Sequence, residues 1–494
     1  MMKKLILLFV ISLYGGLVFS QSQGINSFNC FTVIAGKDAT ENAVVMLAHN
    51  EDDFGKNIIN LLKVKPADTQ KYHTKQGEAI QRAGKKKYGF LWIEMPGQDF
   101  AGSYVNDKGV VVVSNACPSK EDNPELTGGG ISFMFRRMLA EYAGSAKEAV
   151  EIGGKLIEKY GYDSSGRTYC IADKDEAWVL AVVNGKHWVA QRVPDDEVVV
   201  VPNYYTITEV RLEDKENFMG ADDIVDYAIK KGWYKPDKDK TFNFRKAYGK
   251  LESLAHPGNI TRKWQGLNMI TGKNYPMDKP FPFSVKPDEK LTVKGLMNIM
   301  ANHYEGTEFD VSNRYRNGNP HDNPVNTICA AHNQYSMVVE FKEDVPEAMG
   351  TLVWIAFRRP CTQPFLPIYS GIEKFPAHCY LHSPEIALKN HLSSEKSLQL
   401  NGKKHFFMDY IKYTNFTDKQ YPHVIEKIKA YKKQKQEELV GRLEQMESQY
   451  KKQHNKHSEK AEAALIEFTE MVLKKNRMFM KKMMESHAEK TDTN

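Results

Sequence analysis

Residues 165–207 read SGRTYCIADKDEAWVLAVVNGKHWVAQRVPDDEVVVVPNYYTI, and no other stretch restricts the fold as tightly. Blocks of β-branched and aromatic residues are separated by DKDE and NGK, short polar groups suited to reverse turns. Strands joined this closely run antiparallel, because a parallel return needs a crossover of a dozen or more residues. The same pattern recurs elsewhere. CFTVIA (30–35) and AVVMLA (43–48) flank GKDATEN as two strands and a turn, KGVVVVSNA (108–116) is a buried strand, and further strands are expected at 325–341 and 350–357. Residues 128–161, GGGISFMFRRMLAEYAGSAKEAVEIGGKLIEKYG, have helical period with a break near Gly144 and Ser145, which predicts two helices. Strands, then helices, then strands again indicate an α+β layered fold rather than strict βαβ alternation. Residues 215–300, rich in Lys, Pro and Asn, read as helices and loops around that core.

The chain opens MMKKLILLFVISLYGGLVFS: two lysines, a short apolar run interrupted by Gly15 and Gly16, and small or polar residues near Ser20. That layout is a secretory leader rather than a retained span, and no later stretch is apolar enough to cross a bilayer. The expected product is soluble and exported. The net charge of +6 becomes informative once located. Lys3 and Lys4 supply two charges, and residues 424–494 carry 16 Lys and Arg against 12 Asp and Glu, so the body between them is neutral. A neutral body is no electrostatic nucleic-acid binder. From about Val424, Gly and Pro almost vanish, and Leu439, Leu443, Met446 and Tyr450 follow helical spacing, as Leu465, Phe468, Val472 and Phe479 do less strictly. The expected organisation is a signal peptide (1–20), a pro-segment (21–29), a body (30–423) and a basic amphipathic helical tail (424–494) docked on it. The six cysteines are widely spaced with no CxxC pair, and the histidines, HDNP at 321–324 included, have no paired ligand spacing. A disulfide framework or zinc pattern is therefore not indicated. The GGG at 128–130 lacks the Lys-Ser/Thr ending of a phosphate loop and reads as a turn, and Trp178 and Trp188 read as packing.

Cys30, taken alone, admits several roles. It stands poorly as a lipid-anchor cysteine, because Phe28 and Asn29 precede it and QSQGINSF separates it from the apolar run. It suits a buried strand cysteine. It also suits a nucleophile exposed by cleavage at Asn29–Cys30. The freed α-amine, with an unperturbed pKa of about 7.7–8.0, would then serve as the base for its own thiol.

CFTVIAGKDATENAVVMLAHNEDD (30–53), together with 165–207, resembles the C69 dipeptidase family of the N-terminal-nucleophile hydrolases, over about residues 30–360. The resemblance implies a four-layer αββα sandwich with a C-terminal helical extension, and a cysteine-type dipeptidase that needs no cofactor or metal. It implies Cys30 as nucleophile, Asp52 as an acid beside its amine and thiol, and Asn115 and Asn203 as amide donors to the oxyanion. Either asparagine also reads as a turn residue at a strand end. His49 departs from the arginine many relatives carry. Arg314, with Arg316 two residues on, is the candidate for a cation near the site. The implied partner is a dipeptide or small amide substrate, with no nucleic acid and no stable membrane insertion, and a homo-oligomer is compatible. An N-acyl amide or conjugated bile acid hydrolase on the same scaffold, or a non-catalytic binding protein, are the rival readings.

Overall fold

The computed structural model describes residues 30–491 apart from 54–56, 67–70, 82–86, 99–101, 133, 239–240, 314–315, 392, 394–403 and 455–457. The expected leader and pro-segment lie outside the described residues. Two antiparallel sheets form the centre. One has seven strands in the order β12 (Ser284–Val285), β10 (Val198–Val201), β1 (Phe31–Ala35), β2 (Met46–Asp52), β13 (Asn333–Phe341), β14 (Thr351–Phe357) and β15 (Leu366–Tyr369). The other has eight, in the order β11 (Phe218–Gly220), β9 (Trp188–Arg192), β8 (Ala177–Val182), β7 (Arg167–Ala172), β6 (Val111–Ala116), β5 (Ser103–Asn106), β4 (Phe90–Glu94) and β3 (Asn60–Val64).

Nearly every strand residue is buried, because each sheet is covered on both faces. In the eight-stranded sheet the period of two sorts the side chains. Val111, Val113, Cys170, Val179 and Ala181 share a core with the seven-stranded sheet, while Val112, Tyr169, Ile171 and Leu180 join the helices on the far side. Those helices are α1 (Met134–Tyr142) and α2 (Ala146–Tyr160), the pair expected from 128–161. The break between them is the N-cap of α2, where the Ser145 side chain accepts from Glu148 N. On the opposite face, α3 (Pro257–Thr271) packs on β10 and α4 (Val293–Met300) on β2 and β13. The two long helices α5 (Phe407–His454) and α6 (Ser458–Thr491) pack on each other and on β15. The architecture is the four-layer αββα sandwich.

Helix α5 starts at Phe407, ahead of the composition shift near Val424. Pro422, the last proline of the chain, lies inside the helix, so the loss of Pro and Gly marks an interior point and not its start. The tail is docked through Leu439, Leu443, Val472, Leu473 and Met480, all within the main core.

Candidate active site

The hairpin β1–β2 fixes which side chains can meet. Its register pairs Phe31 with Asn50 and Thr32 with His49, which sets Cys30 opposite Glu51. Cys30, Thr32, His49 and Glu51 therefore share one face of the sheet, the face turned toward the second sheet. Asn115, at the end of β6, reaches across from that sheet. It donates both amide hydrogens, to the carbonyls of Cys30 (2.9 Å) and Val201 (3.0 Å), leaving its Oδ1 to accept from Thr32 Oγ1 at 2.7 Å.

Proton positions in this network follow by elimination. Thr32 has spent its hydrogen on Asn115, so His49 Nδ1, 2.8 Å away, donates to Thr32. His49 Nε2 faces Glu51 Oε2 at 3.4 Å, an arrangement that requires a proton shared by ring and carboxylate. Glu51 Oε2 also accepts from Gly102 N (3.2 Å) and Tyr335 Oη (3.3 Å), and Glu51 Oε1 accepts from Cys30 Sγ at 3.3 Å. Burial pushes Glu51 upward, but the hydrogen bond and charge of His49, then the charge of Arg136, hold its carboxyl below the ordinary range. Cys30 is buried, and that burial, followed by the Glu51 and Asp52 charges, drives its thiol well above the ordinary value. The contact with the Asp52 carbonyl and the charge of Arg167 pull the other way without reversing it. The resting thiol therefore keeps its proton, and attack requires a base.

Asp52 has the opposite strand parity from Glu51. Its Oδ1 is held by Asn333 Nδ2, its register partner on β13, and its Oδ2 is buried without a hydrogen-bond partner among the described residues. Burial raises Asp52 well above the ordinary carboxyl value against the charges of Arg262 and Arg359. The carboxylate in contact with the thiol is thus Glu51, while Asp52 faces the Arg262 side. Strand parity, given the hairpin register, was the signal for this division.

Arg262, on α3, is the buried cation that inspection of the sequence missed. Its guanidinium donates to the Cys30 carbonyl (3.3 Å), to Asn203 Oδ1 (3.0 Å) and to Asn259 Oδ1 (2.7 Å). Helix α3 comes this close because Gly266 faces β1 and β10, where a Cβ would stand 3.1 Å from Phe31 and Val200. The signal was Arg262 and Lys263 as the only two charged residues of a helix opened by Pro257. Arg314 lies outside the described residues, and Arg316 is exposed. Asn203, just past β10, is held through its Oδ1 by Arg262, while its buried Nδ2 has no partner among the described residues. The two asparagines therefore differ: Asn115 anchors the Cys30 backbone, and Asn203, bonded to the same guanidinium as the Cys30 carbonyl, keeps an amide donor with no partner among the described residues.

The ligand atoms of Cys30, His49 and Glu51 all lie within 4.8 Å of one another, close enough to hold a cation. The hydrogen bonds above already satisfy that trio as a relay. A cavity of about 820 Å³ between Met297, Trp354 and Val440 is lined by none of these residues. No described helix is long and apolar enough to cross a membrane.

The profile of "Peptidase family C69" matches residues 121–419. The chain belongs to peptidase family C69. It is 24% identical over 396 residues to the "Probable dipeptidase" of Latilactobacillus sakei, covering 76% of this chain and 81% of that protein. The "Dipeptidase" of Bifidobacterium longum is 24% identical over 390 residues, covering 71% of this chain and 72% of the relative. "Dipeptidase A" of Lactobacillus helveticus is 26% identical over 368 residues, covering 70% and 76%. A crystal structure of a mutant conjugated bile acid hydrolase from Clostridium perfringens superposes with a TM-score of 0.32 at 14% identity, covering 69% of this chain and 92% of that one. That distance transfers no residue roles.

Proposed function

We propose that the protein is an exported cysteine dipeptidase whose nucleophile, Cys30, becomes the N-terminus by cleavage at Asn29–Cys30. The observation that carries this reading is a buried thiol set between a carboxylate (Glu51), a cation on its own carbonyl (Arg262) and an amide donor (Asn203) without a partner among the described residues.

In the precursor no free amine exists, and Glu51 Oε1 is the acceptor 3.3 Å from Sγ. Sγ attacks the Asn29 carbonyl carbon and its proton passes to Glu51. That proton then moves to the Cys30 nitrogen as the Asn29–Cys30 amide bond breaks. Water hydrolyses the resulting thioester, leaving a free thiol and a free α-amine. In the mature enzyme the amine takes the thiol proton as Sγ attacks the dipeptide carbonyl, then delivers it to the leaving amine. Asn203 Nδ2 donates to the oxyanion, and the orphaned Asp52 Oδ2 accepts from the α-ammonium. Water releases the acyl product.

The test is N-terminal sequencing of the exported protein together with a dipeptide assay, using Cys30→Ala as control. The expected product begins at Cys30 and hydrolyses dipeptides, while the variant keeps its pro-segment and is inactive. Active enzyme that still carries residues 21–29 would refute the amine as base.

A further inference from the structure

We propose that His303, His321, Cys329 and Cys361 form a structural zinc site, distinct from the catalytic thiol. All four side chains are buried, and their ligand atoms lie within 4.8 Å of one another. Zn–N bonds of about 2.0–2.1 Å and Zn–S bonds of about 2.3 Å at tetrahedral angles place ligand atoms about 3.3–3.8 Å apart. His303 Nε2 and His321 Nε2 are 3.2 Å apart, Cys361 Sγ is 3.5 Å from His321 Nε2, and Cys329 Sγ is 3.7 Å from the same nitrogen. Spacings of that size fit one tetrahedral ion.

The surroundings orient the ligands. His303 Nδ1 lies 3.1 Å from Glu305 Oε1, and His321 Nδ1 lies 3.1 Å from Asp418 Oδ1. Each carboxylate draws the ring proton to Nδ1 and leaves the Nε2 lone pair facing inward. Without a metal the 3.2 Å contact between the two Nε2 atoms needs a hydrogen on one of them, and a cation bound by both lone pairs would replace that hydrogen. Asp418 is itself held by Arg359 at 3.1 Å, and the Tyr421 ring lies nearly perpendicular to both imidazoles. Two thiolates and two imidazoles are the soft, closed donor set that selects zinc, with no position open for a substrate.

The ligands come from separate segments: His303 follows α4, His321 sits in the turn Pro320–Asp322, Cys329 precedes β13, and Cys361 follows β14. Helix α5 adds Asp418 from behind. This wide spacing hides the set from a search for local motifs. The clamp borders the acid side of the active site. Arg359 bonds both Asp418 and the Asn333 carbonyl, and the Asn333 side chain holds Asp52.

The experiment is elemental analysis and cobalt substitution of the full chain. The expected result is about one zinc per chain, retained through dialysis, and thiolate-to-cobalt charge-transfer bands after exchange. His303→Ala and Cys361→Ser should lose the metal and the bands, Cys30→Ala should keep both, and Asp418→Asn should weaken zinc about 10–100-fold in chelator competition. The cobalt spectrum needs no variant, so a misfolded mutant does not obscure the answer. The proposal is overturned if reduced wild-type protein offered zinc or cobalt takes up neither. It is equally overturned if Cys329 and Cys361 are found joined as a disulfide, or if Cys30→Ala alone abolishes binding. None of these readouts depends on dipeptide hydrolysis, so the site stands or falls separately from the proposed activity.

Discussion

Asn115 and Asn203 end similar runs of valine and occupy similar places in the sequence, yet their amides are spent differently. Asn203 Nδ2 has no partner among the described residues, so Asn203→Ala should remove a donor needed only as charge develops on the substrate oxygen. Losing one such donor costs about 10²–10³-fold in kcat, with little change in KM or Tm. Asn115→Ala instead leaves the Cys30 carbonyl to Arg262 alone and removes the side-chain donor to the Val201 carbonyl and the acceptor of Thr32 Oγ1, at about 1–3 kcal/mol for each buried group left unsatisfied. It should therefore lower Tm as well as activity, and steady-state kinetics beside thermal melts separates the two roles. Asp52 offers a signed pH test in the unprocessed Cys30→Ala chain, where residue 30 has no free amine. Its folded pKa is raised, chiefly by burial. Its stabilising share is therefore complete below the unfolded value of about 3.9 and is lost as pH rises through the folded value. Asp52→Asn, which can still accept from Asn333, should raise the urea midpoint near neutral pH, and the gain should shrink as the solution is acidified toward the unfolded value. A gain that grows on acidification would reverse the assigned sign.

At the scale of elements, close approach decides more than propensity. Helix α2 carries Gly153 and Gly154 mid-helix, where alanine is ordinarily better by about 0.8–1.0 kcal/mol. A Cβ on Gly154 would lie 2.1 Å from the Trp188 ring of β9. Gly154→Ala should therefore destabilise, by about 1–3 kcal/mol, against its helix propensity; urea denaturation checks the sign. That contact also shows what a linear reading can and cannot reach. The meander at 168–193, the β1–β2 hairpin and the helix pair at 128–161 were legible because turns and periodicity are local. So was Cys30 at the head of a strand. The preference of the thiol for Glu51 over Asp52 depends on one residue of register, which GKDATEN does not specify by itself. Arg262 was legible only as one of two charges in a helix; its meeting with Cys30 was not, since it spans 232 positions of sequence and depends on the seat of α3 on β10.

For the whole molecule, the question is whether the helical tail is an appendage or part of the fold. Its basic excess suggests a surface arm, but the contacts of α6 with the body are mainly apolar. Leu465, Val472, Leu473 and Met480 are buried, Asn476 bonds Gln363 and Tyr410, and Phe479 stacks on Tyr431. Burying four such side chains is worth about 1.5–3 kcal/mol each, together comparable to the entire 5–15 kcal/mol that separates folded from unfolded domains. The ion pairs of α6 near the surface, the half-buried Lys475–Glu438 among them, are worth about 0–1 kcal/mol each and weaken with salt. A chain ending at His454 should accordingly fail to accumulate as soluble folded protein, or melt far below the full chain. Lys475→Gln should leave Tm nearly unchanged, and high salt should not loosen the tail. Circular dichroism melts of the full chain should show one transition, with α5 and α6 unfolding together with the sheets. A truncated chain as stable as the intact one, or a tail that melts separately and shifts with ionic strength, would make the tail an electrostatic arm and remove Asp418's helix from the integral structure of the sandwich.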